Sequence, residues 1–169
     1  MSSDIAMLSG RAEALRQAFD RAFAQAPAAA DEAGEGMLAL RAGGEAFAVP
    51  LAEVHGLFAD RRLVALPGPL PAFRGIACLR SGIVAVYGLA DFFGHPSSAA
   101  PMRWMLLTGG RDRPFALAFE HFDGYARAAA GVIAVSARDG HIRGSALIAG
   151  ARRAILSLSS IAAAISAKP

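Results

Sequence analysis

The chain has 169 residues, of which 54% are apolar and 18% charged, with a formal net charge of +3. That length suits one domain or two small ones sharing a core, and that composition excludes a disordered chain. The longest uncharged run, Ala154 to Ala167, is 14 residues, short of the roughly 18 to 20 that cross a bilayer.

The N-terminus opens with Ser2, Ser3 and Asp4 and has neither the basic start nor the apolar core of a secretory signal, so a cytoplasmic location is expected. A single cysteine, Cys78, rules out an intrachain disulfide. It lies in an apolar run and reads as a buried, inert thiol. The charge is uneven. Residues 1–36 hold three Arg and six acids, and residues 37–169 hold thirteen Arg, one Lys and eight acids. The basic residues are scattered, with no run of five and no aromatic ladder between them, which favours a solvated surface over a nucleic-acid footprint.

In chain order, Leu8, Ala12, Leu15, Phe19, Ala22 and Ala26 recur every three or four residues and predict an amphipathic helix, ended by Pro27. The stripe of Leu8, Leu15 and Phe19 either docks on its own domain or meets a partner. Residues 27–36 read as a linker by composition. From Met37 the pattern turns to short strands. Met37–Arg41 and Glu45–Val49 flank Ala42-Gly43-Gly44 as a hairpin, and Pro50 closes the second strand. Leu51–Phe58 predicts a helical turn or a bend. Leu66 to Pro71, with three prolines, can be neither helix nor central strand.

Gly75–Leu79 and Ile83–Tyr87 form a second hairpin. Its turn carries Arg80 between two apolar runs, both expected to be buried. Leu89–Phe93 reads as a short helix stopped by Gly94. Trp104–Thr108 and Phe115–Phe119 form a third hairpin, and Val132–Val135 a strand. Ser145–Ala149 and Ala154–Leu158 pair around Gly150 to Arg153. Ser159–Ala167 reads as a closing helix capped by Ser159 or Ser160. Short strands at this density of turns predict an all-β fold of two small barrels.

Catalytic and metal patterns are missing. His55, His95, His121 and His141 have no ligand spacing, so no metal or cofactor is expected. The one lysine, Lys168, rules out a phosphate loop. Glu120, His121 and Asp123 allow an acid–base reading, against a plainer one as a polar strand edge with a turn at Asp123-Gly124.

Five pieces in order resemble the CheW-like domain, the adaptor that joins chemoreceptors to the histidine kinase CheA. They are Leu40 to Val54, Leu66-Pro67-Gly68, the set Gly75, Leu79, Arg80, Val86 and Leu89, then Phe115–Phe122, and Ala154–Ile161. The resemblance covers residues 37–165. It implies two five-stranded SH3-like barrels sharing a core, about 37–98 and 99–165 with possible strand exchange, beside an N-terminal helix over 1–36 and a short C-terminal helix. It implies a non-enzymatic scaffold in which Arg80, with Gly75, Val54 and Ser81, meets the receptor tip, while the kinase-binding residues stay unassigned. Gly56, Ser81, Ala85, Gly88 and Ser157 depart from the family's usual residues. Two further readings stand beside it. One is an accessory member that keeps a single partner interface. The other is a basic small-barrel module that binds nucleic acid.

Overall fold

The computed structural model describes residues 34–68, 70–80, 82–95, 100–110, 113–129 and 140–167. The N-terminal helix with Leu8, Leu15 and Phe19, the strand expected at 132–135, and Ser81 lie outside them. Residues 33–169 form one compact unit.

Two sheets make up the fold. The first is built from β1 (Gly34–Ala42), β2 (Glu45–Pro50), β9 (His121–Ala129), β10 (Ile142–Ile148) and β11 (Ala151–Leu156), in the order β10-β11-β2-β1-β9. The second is built from β3 (Gly56–Ala59), β4 (Leu63–Ala65), β5 (Phe73–Leu79), β6 (Gly82–Gly88), β7 (Trp104–Gly110) and β8 (Arg113–Phe119), in the order β3-β7-β8-β6-β5-β4. They form two barrel-like halves, with five strands as expected in one and six in the other. Neither sheet follows a division at residue 98. β1 and β2 complete a sheet made otherwise of β9 to β11, and β7 and β8 complete the other. The exchange is sealed by two parallel pairings, β11 with β2 and β6 with β8.

Strand alternation explains the core. On β1, Met37 and Ala39 face one side while Leu38, Leu40 and Ala42 face the other. On β8, Ala116 and Ala118 face one way and Phe115, Leu117 and Phe119 the opposite way. Each half therefore encloses its own small cluster, rich in alanine: Ala39, Ala48, Ala128 and Ala146 in one, Ala77, Ala116 and Ala118 in the other. The large side chains fill a third cluster shared by both sheets, with Leu40, Phe47, Leu106, Leu117, Phe119 and Leu156. Few-stranded barrels have narrow interiors, which small residues fit. The central strands, buried on both faces, need continuous apolar runs.

Two helices close the fold, α1 (Leu89–Phe92) and α2 (Leu158–Ser166). Leu89, Ala90, Leu158 and Ile161 enter the shared cluster.

Several expectations need correction. Cys78 is exposed, and so is its cross-strand partner Ile83, at 73%. The β5–β6 hairpin buries only one face, with Ala77, Leu79, Val84 and Val86 inward, so its apolar runs are not both buried throughout. β1 begins inside the expected linker, at Gly34, because β9 extends far enough to pair with it. The segment 51–58 splits into a 3-10 turn, Leu51–Glu53, followed by β3. Asp123-Gly124 is not a turn but a bulge within β9, where the register to β1 shifts by one. The last hairpin turns at Ala149-Gly150, so Ala151 to Arg153 belong to β11. The helix cap is Ser157, whose hydroxyl accepts the Ser160 amide at 3.4 Å.

Candidate functional site

Leu79 pairs with Gly82, so Arg80 lies at the tip of β5 and β6. That position puts the Arg80 side chain outside both apolar faces, and it is exposed. Among the described residues it has no ion pair and no hydrogen bond. Five other described arginines are engaged in ion pairs. Arg41 and Arg153 pair with Asp123, Arg74 with Asp91, Arg103 with Asp60, and Arg143 with Glu53 and Glu35. These pairs place a carboxylate beside each of five guanidiniums, so those five do not form a continuous phosphate-binding stripe.

Arg80 stands over a groove of about 350 Å³, lined also by His55, Gly56, Leu57, Phe58 and Leu107. β3 supplies one wall, held by its antiparallel pairing of Gly56 with Leu107 and Leu57 with Leu106. A Cβ at Gly56 would lie 2.8 Å from the Phe58 ring, so the ring fills the space that a side chain at 56 would need. Arg61, which does not line the groove, places its guanidinium 5.7 Å from the centre of the Phe58 ring. The groove thus combines an apolar floor with one cationic edge, Arg80. It can take a partner that offers an aliphatic side chain and a carboxylate or carbonyl.

The four expected receptor-binding residues have different surroundings. Arg80 lines the groove. Val54 does not line it: it is half-buried against the shared core, and its N–H donates to the Leu51 carbonyl at 3.1 Å. It anchors the wall that begins at His55. Gly75 is buried, with φ at +137°, and a Cβ there would lie 2.0 Å from the Val64 carbonyl oxygen. Its absent side chain lets β4 approach β5. Ser81 lies outside the described residues. The groove residues His55, Leu57, Phe58 and Leu107 were not singled out by sequence. A four-residue strand is too short to show alternation, and only the nearness of residues 55–58 to Val54 pointed to them.

A second groove, about 390 Å³, is lined by Glu53, His55, Thr108, Gly109, Gly110, Leu158, Ser159 and Ala162. It shares His55 with the first.

The acid–base set has structural partners. Glu120 is buried and accepts the Gly43 amide at 3.2 Å, which fastens the first hairpin turn. Asp123, the extra residue of the bulge, accepts from Arg153 at 2.8 Å and from Arg41 at 3.1 Å. Burial alone would raise its pKa, but the two guanidiniums outweigh burial and hold it below the ordinary carboxylate value. Buried Arg153 also donates to the Ile148 and Leu40 carbonyls, at 3.0 and 3.1 Å. His121 is exposed. A Ser160–His141 contact of 2.8 Å is likewise structural. The serine hydroxyl donates to the Gly140 carbonyl at 2.7 Å, so the histidine Nδ1 must be the donor and not a base. Among the described residues no three His, Cys, Asp or Glu side chains gather into a metal-binding group. None of the described helices is long and apolar enough to cross a membrane.

No curated protein sequence matches the chain. Its fold is similar to that of the scaffolding protein TtCheW from Thermoanaerobacter tengcongensis, with a TM-score of 0.65 at 15% identity, covering 73% of this chain and 89% of that one. The CheW-like domain family matches residues 36–165, most of the chain and nearly all of both sheets, and the protein belongs to that family.

Proposed function

We propose that the protein is a non-enzymatic scaffold of a chemosensory complex. It holds the cytoplasmic tip of a chemoreceptor in the Arg80 groove and the regulatory domain of a CheA-type histidine kinase on a separate surface. Family membership supports the adaptor class. The observation that carries the receptor half is Arg80 itself, a cation without a partner over an apolar floor. A solvated turn arginine needs no groove beneath it. A guanidinium kept free of intramolecular carboxylates retains its planar set of donors for an incoming one.

The departures from the family bear on partner choice. Where the family usually carries glutamate, Gly56 and the Phe58 ring leave no carboxylate in the groove. The groove is cationic and favours an acidic receptor surface, through faster encounter as well as contact. At Gly88 a Cβ would lie 1.9 Å from the Asp91 carboxylate, which is held by Arg74. That ion pair takes the space of the family's usual aspartate.

The test is charge reversal at the exposed turn. Arg80→Glu is expected to abolish co-purification with a receptor-tip fragment while shifting Tm by no more than about 2 °C, since exposed substitutions usually cost under about 0.5 kcal/mol. Undiminished co-purification would remove Arg80 from the interface.

A further inference from the structure

Glu53 ends the 3-10 turn that leads into the groove wall, and it is hydrogen-bonded to three other elements. Its Oε1 accepts from Arg143 of β10 at 3.1 Å. Its Oε2 accepts the backbone N–H of Leu158, the first residue of α2, at 3.1 Å. Its carbonyl accepts the hydroxyl of buried Thr108, on β7, at 2.8 Å. Two residues later the His55 N–H donates to the Leu107 carbonyl at 2.8 Å, and the wall begins.

The Leu158 amide belongs to the first turn of a helix, where backbone donors have no intrahelical acceptor. The Ser157 hydroxyl accepts the Ser160 amide, not that of Leu158. Leu158 is 2% exposed, so without Glu53 its N–H has little access to water. A carboxylate there also faces the positive end of the helix dipole. Arg143 completes the arrangement by compensating the charge that Glu53 brings.

We infer that Glu53 is a positioning residue for the Arg80 groove. It ties the wall from His55 to Phe58 to β7, to β10 and to the N-terminus of α2, and so sets the width of the groove from behind. This rests on the reading of that groove as the receptor site. Glu53 does not line the Arg80 groove and touches no receptor. Its effect on binding comes through the wall.

Two variants of the full chain test it, with two measurements each. Glu53→Gln keeps the volume but cannot accept from both Arg143 and Leu158. Arg143→Gln removes one partner and leaves the cap on Leu158. Amide hydrogen exchange is measured residue by residue, and affinity is measured for a receptor-tip fragment. In Glu53→Gln, exchange at residues 54–58 and 158 should quicken about tenfold or more, the loss of one buried hydrogen bond. The amides of Ala85 and Val86, on β6, which bonds to neither Glu53 nor its partners, should keep their protection. Tip affinity should fall about tenfold in Glu53→Gln and by no more than about threefold in Arg143→Gln. Unchanged exchange at 54–58 would overturn the inference. So would quickened exchange there with affinity equal to that of the parent, or an equal loss of protection throughout the fold. A parent chain that binds no tip fragment would refute the receptor reading alone, and the exchange pattern would still decide whether Glu53 holds the wall.

Discussion

Gly75 and Gly82 show how the same residue type serves different ends within one hairpin. Both have positive φ, at +137° and +114°. A Cβ at Gly75 meets the β4 backbone at 2.0 Å, whereas one at Gly82 meets nothing within 4 Å. Gly75→Ala should therefore cost about 3 kcal/mol or more, strain plus collision, and Gly82→Ala about 1 to 2 kcal/mol, strain alone. Chemical denaturation of the two variants checks the order, and equal costs would refute the collision. The sequence marked Gly75 as a site residue, but a glycine's spacing cannot distinguish a surface that meets a partner from a backbone that meets another strand. Arg80 was legible because a charge between two apolar runs has to leave the core. Cys78 was misread because a run such as Ile76-Ala77-Cys78-Leu79 looks the same whether one face is packed or both.

At the scale of elements, turn chemistry decided what could be read. Gly43-Gly44 announces its hairpin, since both positions take positive φ, at 58° and 85°, as a two-residue loop requires. The β10–β11 loop has the same geometry, with Ala149 at 51° and Gly150 at 75°. An alanine in that conformation gives no signal, so the turn reads one residue late. Ala149→Gly should relieve that strain and raise stability by about 1 kcal/mol in an equilibrium melt; a loss of stability would show that the loop is held by something other than backbone preference. β4 went unread because three residues beside a proline-rich segment carry no period. β9 went unread past Asp123-Gly124 because a bulge and a turn use the same residues. In each case the missing information lay in the partner strand.

At the scale of the whole molecule, the halves cannot be separated along the chain. β1 and β2 belong to a sheet completed more than seventy residues later by β9, and the large side chains of both sheets meet in one cluster. Short apolar runs at a high density of turn signals made the all-β fold legible, and the family resemblance supplied the shared core. Which strands exchange was not, because pairing depends on contacts between residues far apart in sequence. The result suits an adaptor. A single compact unit carries the Arg80 groove at one hairpin tip.

That claim of bridging is tested most directly by mixing the full chain with a receptor-tip fragment and a kinase regulatory domain, and by weighing the complexes with light scattering as they leave a sizing column. The parent chain should form one species containing all three, and Arg80→Glu should lose the receptor while keeping the kinase. A parent chain that binds neither partner, or an Arg80→Glu variant that still forms the three-part complex, would contradict the account.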